Sequence, residues 1–138
     1  MADNEPTNPE DWVNGQAARI TASAAAGASN VTNVTITVKD MLGRTRSRVK
    51  NMNLYLSDSA TGVGITATTA SGTVVAGASG VDLGDLTAKK VKLVQTTAAG
   101  VYILQITDTA KTPFVVCVDL LNGHRPLIAL TLAAGNYG

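Results

Sequence analysis

A chain of 138 residues with a formal net charge of +1, one His and one Cys is long enough to bury a core but poor in groups that do chemistry. The near-zero charge excludes strong overall attraction to nucleic acid or to an anionic membrane, and a single Cys excludes an internal disulfide. His124 and Cys117 stand among ten carboxylates in a body of Thr, Ala, Val, Gly and Leu, so no enzyme and no cofactor is expected.

The opening Met1-Ala-Asp-Asn-Glu-Pro6 is polar and acidic, the opposite of a secretory signal. No apolar run approaches the length that crosses a bilayer, so a soluble protein made in the cytoplasm is expected. Residues 1–30 read as an N-terminal arm. Pro6 and Pro9 interrupt an acidic stretch without apolar period, and Trp12 with Val13 forms a lone anchor pair. The run Thr21-Ala-Ser-Ala-Ala-Ala-Gly-Ala-Ser29 follows good helix formers, but Gly27 and the small residues weaken a helix there. Such an arm is either a loose tail or a strap against its own domain or a neighbour, with Trp12 as the peg.

From Val31 the period becomes two. Val34, Ile36 and Val38 alternate with Thr35 and Thr37, and Met52, Leu54 and Leu56 alternate with Asn51, Asn53 and Tyr55. A Thr-rich stretch from Ile65 to Thr73 leads to Val74-Val75, and Val81 to Leu86 is a short strand or turn. Val91–Val94 and Val101–Ile106 flank Ala98-Ala-Gly100 as an expected hairpin. Phe114, Val116, Val118 and Leu120 read as a central strand, and Asn122-Gly123 turns the chain into Leu127–Leu132. Seven or eight short strands predict an all-β fold. Residues 31–138 form an antiparallel β-sandwich, jelly-roll or immunoglobulin-like, behind an extended N-terminal arm.

Each chemical candidate meets a plainer alternative. His124 follows a turn and lacks a visible nucleophile or orienting carboxylate, so it reads as a solvated turn residue. Cys117 lies in an apolar run and reads as a small buried hydrophobe. One His and one Cys fall short of a transition-metal ligand set. Calcium takes about six to eight oxygens, so Ser57-Asp58-Ser59 reads as a turn. Gly62-Val-Gly-Ile-Thr-Ala67 precedes a β-branched run and no helix, which removes the phosphate cradle of a dinucleotide fingerprint.

The sharpest surface feature is basic. Arg44, Arg46, Arg48 and Lys50 recur at spacing two and share parity with the core-facing Met52, Leu54 and Leu56. One regular strand cannot bury both sets. Either a bulge near Val49 switches faces, or residues 43–49 project beyond the sheet as a basic arm or hairpin tip. Such charges either guard an edge against aggregation or dock on an acidic protein surface; no aromatic interleaves with them as nucleic-acid binding would favour.

Val34-Thr-Ile-Thr-Val-Lys-Asp40, Leu56-Ser-Asp-Ser-Ala-Thr-Gly62, Leu86-Thr-Ala-Lys-Lys90 and Ile106-Thr-Asp-Thr-Ala-Lys111 resemble stretches of small β-sandwich proteins from tailed-bacteriophage head operons. The family is the capsid decoration, or cement, proteins of phages such as the short-tailed phages of Bordetella. The resemblance spans roughly residues 31–138. It implies a structural virion protein on the outer capsid surface, a dimer or trimer that binds the major capsid protein and ties adjacent capsomers together. Trp12, Val13, Arg44, Arg46, Arg48 and Lys50 are then the candidate capsid or subunit contacts. The alternative is a carbohydrate- or receptor-binding β-sandwich module of a phage fibre, spike or adhesin. Tyr55, Tyr102, Tyr137 and Trp12 are few and scattered as sugar-stacking platforms.

Overall fold

A computed structural model describes residues 17–45 and 48–138; Trp12, Val13 and Arg46 lie outside the described residues. Within them the chain forms strands β1 (Arg19–Ala26), β2 (Val31–Lys39), β3 (Asn51–Ser57), β4 (Val74–Ala76), β5 (Val81–Thr87), β6 (Val91–Gln95), β7 (Val101–Thr107), β8 (Val115–Asp119) and β9 (Leu127–Thr131). A short 3-10 helix, Ala134–Asn136, follows.

These strands make two antiparallel sheets packed face to face, ordered β1-β2-β7-β4 and β5-β6-β3-β8-β9. With β1, β2 and β7 in the places of immunoglobulin strands A, B and E, and β3, β8 and β9 in those of C, F and G, the order is that of an immunoglobulin sandwich. Between β3 and β7 the chain makes an excursion. It visits the four-stranded sheet as β4, then returns to extend the other sheet as β5 and β6.

Period-two patterning accounts for the core. Val34, Ile36 and Val38 of β2 and Tyr102, Leu104 and Ile106 of β7 are buried from one sheet. Met52, Leu54 and Leu56 of β3, Val94 of β6, and Val116 and Val118 of β8 are buried from the other. The pairing keeps like faces together, with Val34 opposite Leu104 and Leu54 opposite Val118. Strand β8 is buried on both faces because the loop after β3 crosses its outer side. A methyl group added at Gly62 would lie 3.1 Å from Cys117 Sγ.

Residues 19–26, placed by sequence in the arm, are instead the edge strand of the four-stranded sheet, paired with β2 from Arg19–Lys39 to Ala26–Thr32. The sandwich therefore begins before Val31. Ile20, Ala22 and Ala24 pack on the core, while Arg19, Thr21 and Ser23 face solvent. That alternation, beside an open edge of β2, outweighs alanine's helix preference.

The expected hairpin between β6 and β7 is likewise an arch between sheets. A tight turn carries the chain across, with Gly100 N–H donating to Thr97 O at 2.9 Å. Gly100 has φ +80 and sits so close to Val38 that a methyl group there would meet its carbonyl oxygen at 2.9 Å.

Candidate functional surface at the loop end

The start of β1, the end of β2, the start of β3, the end of β8 and the start of β9 share one end of the sandwich. Register fixes this: Arg19 is opposite Lys39, and Asn53 is opposite Asp119. The connections at this end are residues 40–50, 96–100 and 120–126. Strand β3 begins only at Asn51, and the sole bridge in the described part of 43–49 is Lys39–Thr45. Arg44 and Arg48, both exposed, therefore lie outside the regular strands, which keeps their charges out of the core.

Asp40 fixes the root of this loop. Its carboxylate accepts from Leu42 N and Arg44 N, each at 2.9 Å, and from Arg44 Nε at 3.2 Å. Burial pushes its pKa up, but the backbone donors and the Arg44 guanidinium outweigh that and hold it below the usual carboxylate range. The turn thrusts Met41 and Leu42 into solvent, 52% and 60% exposed. Lys50 is anchored at the far side, where its N–H donates to Thr96 Oγ1 at 2.9 Å.

The fold gathers other cations here. Arg19 reaches the turn, its guanidinium lying 3.6 Å from where a Gly43 methyl would sit. Lys39 lies opposite Arg19, and Arg48 and Arg125 are exposed on the connecting loops. Asn122 Nδ2 donates to Ala17 O at 2.9 Å, tying the β8–β9 loop to the entry of β1. Between them lies a hollow of about 240 Å³ lined by Ala18, Leu120, Asn122, His124, Arg125 and Leu127. Val49 and Leu121 add exposed apolar tips. The result is a positively charged end studded with hydrophobic knobs, suited to an acidic partner with apolar pockets.

Lys89, Lys90 and Lys92, away from this end, are tied into the fold. Lys89 Nζ and Lys90 Nζ donate to Ala70 O and Ala67 O at 3.3 and 3.1 Å, pinning the long loop after β3. Lys92 is buried between the sheets, with Nζ 2.5 Å from Asp85 Oδ1 and 3.4 Å from Asp82 Oδ2. Asp82 also accepts from Tyr102 Oη at 2.5 Å and from Ala76 N at 2.9 Å. This polar clasp joins strands of both sheets.

A second concavity of about 250 Å³ opens on the outer face of the five-stranded sheet, lined by Asn53, Tyr55, Gly64, Ile65, Val91, Asp119 and Pro126. Tyr55 is held there by its hydroxyl, which donates to Gly62 O at 2.6 Å. Burial, then the neighbouring Cys117 and the Asp119 charge, push the Tyr55 hydroxyl up to about 12.

No family model, curated protein or solved structure matches the chain.

Of the residues singled out by sequence, the structure brings Arg44, Arg48 and Lys50 to one end of the sandwich with His124. His124 is exposed at the turn, its N–H donating to Asn122 Oδ1 at 3.2 Å. Cys117 is buried, and burial pushes its thiol pKa up despite a lowering hydrogen bond with Tyr55. Among the described residues no three His, Cys, Asp or Glu side chains cluster to hold a metal ion, and no helix is long and apolar enough to cross a membrane.

Arg19, Lys39 and Arg125 were not legible as partners of the basic segment, because only strand register brings them together. Lys92 carried a usable signal: it shares parity with the buried Val94, and Asp82 and Asp85 lie one strand earlier.

Proposed function

We propose that this protein is a structural virion component, a decoration or cement protein on the outside of an icosahedral phage head. In this reading the loop end seats on the major capsid protein and the chain ties adjacent capsomers together as a dimer or trimer. The convergence of Arg19, Arg44, Arg48 and Arg125 with the exposed tips of Met41, Leu42 and Leu121 is the observation that carries it. Cations steer the protein to an acidic shell and set its register, while apolar tips inserted into capsid pockets supply affinity.

Each contact can be weak. A closed oligomer bridging several capsomers gains avidity through effective concentration, and selective binding to the expanded shell stabilises that state by mass action. The resemblance of residues 31–138 to phage decoration proteins points the same way.

The direct test is cryo-electron microscopy of expanded heads reconstituted with the purified chain. The reading predicts added density on the outer surface between capsomers, with residues 40–50 and 120–126 toward the shell. Unchanged heads, or density seated by the opposite end of the sandwich, would refute it.

A further inference from the structure

We propose that the outer face of the five-stranded sheet carries a binding site for a single neutral saccharide unit, centred on Asn53, Tyr55 and Asp119. The hollow opens on the outer face of the sheet beside the loop end, sharing Pro126 with the 120–126 connection, and the sugar test below reads it independently of the cement role.

Its chemistry is that of a sugar ring. Asn53 and Asp119 are direct cross-strand partners on β3 and β8. An amide beside a carboxylate offers both donors and acceptors to neighbouring ring hydroxyls, which themselves donate and accept. No described hydrogen bond ties the Asn53 amide to the fold. Asp119 uses Oδ1 to accept from Leu121 N at 2.9 Å, and Oδ2 takes part in no described hydrogen bond. Around this polar pair stand the Tyr55 ring and the aliphatic walls of Ile65, Val91 and Pro126. They suit the C–H faces of a pyranose. No cation lines the hollow and one carboxylate does, which disfavours acidic sugars and phosphates.

Size and rigidity agree. At about 250 Å³ the hollow is smaller than the ~300–1,000 Å³ of drug-sized ligand pockets, which fits one ring. Its walls are fixed before a ligand arrives. Thr66 N donates to Leu56 O at 2.7 Å, and Asp58 accepts from Thr66 Oγ1 at 2.5 Å and from Ala67 N at 2.8 Å. These bonds and the Tyr55–Gly62 bond hold the loop that carries Ile65, so little ordering cost falls on binding.

Saturation-transfer NMR on the full chain tests this, with glucose, galactose, mannose and N-acetylglucosamine as probes and N-acetylneuraminic acid as the charged comparison. The site predicts transfer to at least one neutral sugar and none to the acidic one. Asn53→Ala should weaken that binding about tenfold, the scale of one or two lost hydrogen bonds. Asp119→Asn keeps an acceptor for Leu121 N–H, so it should weaken binding by a similar factor without lowering the unfolding midpoint. Absence of transfer to every neutral sugar, equal transfer to the acidic one, or binding unchanged in both variants would overturn the proposal.

Discussion

Tyr102 of β7 donates its hydroxyl to Asp82 of β5 at 2.5 Å, and so joins the two sheets through a hydrogen bond. Burial and the Asp82 carboxylate push the Tyr102 hydroxyl far above its ordinary pKa, so the phenol stays the donor throughout the usable pH range. Asp82 in turn accepts from Ala76 N and faces Lys92. One carboxylate thus satisfies a phenol, a backbone amide and an ammonium contributed by three other strands.

Removing Asp82 should cost more than removing Lys92. Asp82→Ala strands the Tyr102 hydroxyl and the Ala76 N–H in buried surroundings, a loss of about 2–4 kcal/mol. Lys92→Met replaces a buried cation by an apolar chain of similar length, and the side chains of Asp82 and Asp85, 26% and 41% exposed, can turn to water. That change should cost about 1 kcal/mol. Urea unfolding midpoints at constant slope measure both, and a larger loss for Lys92→Met would contradict the assignment.

Acid should unfold the protein through three aspartates. Asp40, Asp58 and Asp108 all have pKa values lowered from the ordinary 3.8. For Asp108, burial raises it, but bonds from Thr112, Ser71 and Ala110 outweigh that. A carboxylate with a folded pKa below its unfolded one stabilises the fold above the unfolded value and loses that contribution as pH falls through the folded value. The thermal midpoint should therefore hold near pH 6 and fall steadily below about pH 4. Asp108→Asn should lower the midpoint at pH 6 and flatten its fall below pH 4; an unaltered slope would count against the cause.

Gly80 is irreplaceable on geometric grounds. It has φ +89, and a methyl group there would run into the Tyr102 ring and meet Gln95 O at 2.9 Å. Gly80→Ala should cost about 2–4 kcal/mol through left-handed strain and displacement of the clasp's tyrosine. Gly135→Ala, where nothing lies within 4 Å of the added carbon, is the matched control and should stay within about 0.5 kcal/mol. Equal unfolding midpoints for the two variants would refute the packing argument.

Cys117 should be inert in the native state. Its side chain is buried under the loop after β3, and burial raises its thiol pKa. A disulfide-exchange reagent such as Ellman's should label it only at the rate of unfolding, in step with urea concentration. Prompt stoichiometric labelling in native buffer would show that the loop does not cover it.

Much of the sandwich was legible because alternation is a local signal: Val34, Ile36 and Val38, or Met52, Leu54 and Leu56, announce their buried face unaided. The β1 strand was not, since Ala22 and Ala24 are small enough to read as helix, linker or strand until β2 offers an edge. The β6–β7 arch was misread because Ala98-Ala-Gly100 specifies a turn but not which sheet receives the next strand. Of the loop end, Arg44, Arg48 and Lys50 announced themselves by spacing. Their gathering with Arg19 and Arg125 depends on register across strands far apart in sequence. The Asn53–Asp119 pair was hidden for the same reason: 66 positions separate two residues that the sheet sets side by side.

The central claim is that the loop end docks on an expanded phage head, and co-sedimentation tests it most directly. Purified chain is spun with expanded heads that lack it and, alongside, with unexpanded shells. The account predicts saturable binding to expanded heads alone, weakened by salt and by the double substitution Arg44→Glu and Arg48→Glu. Binding to neither particle, or binding that the charge reversal leaves intact, would contradict it.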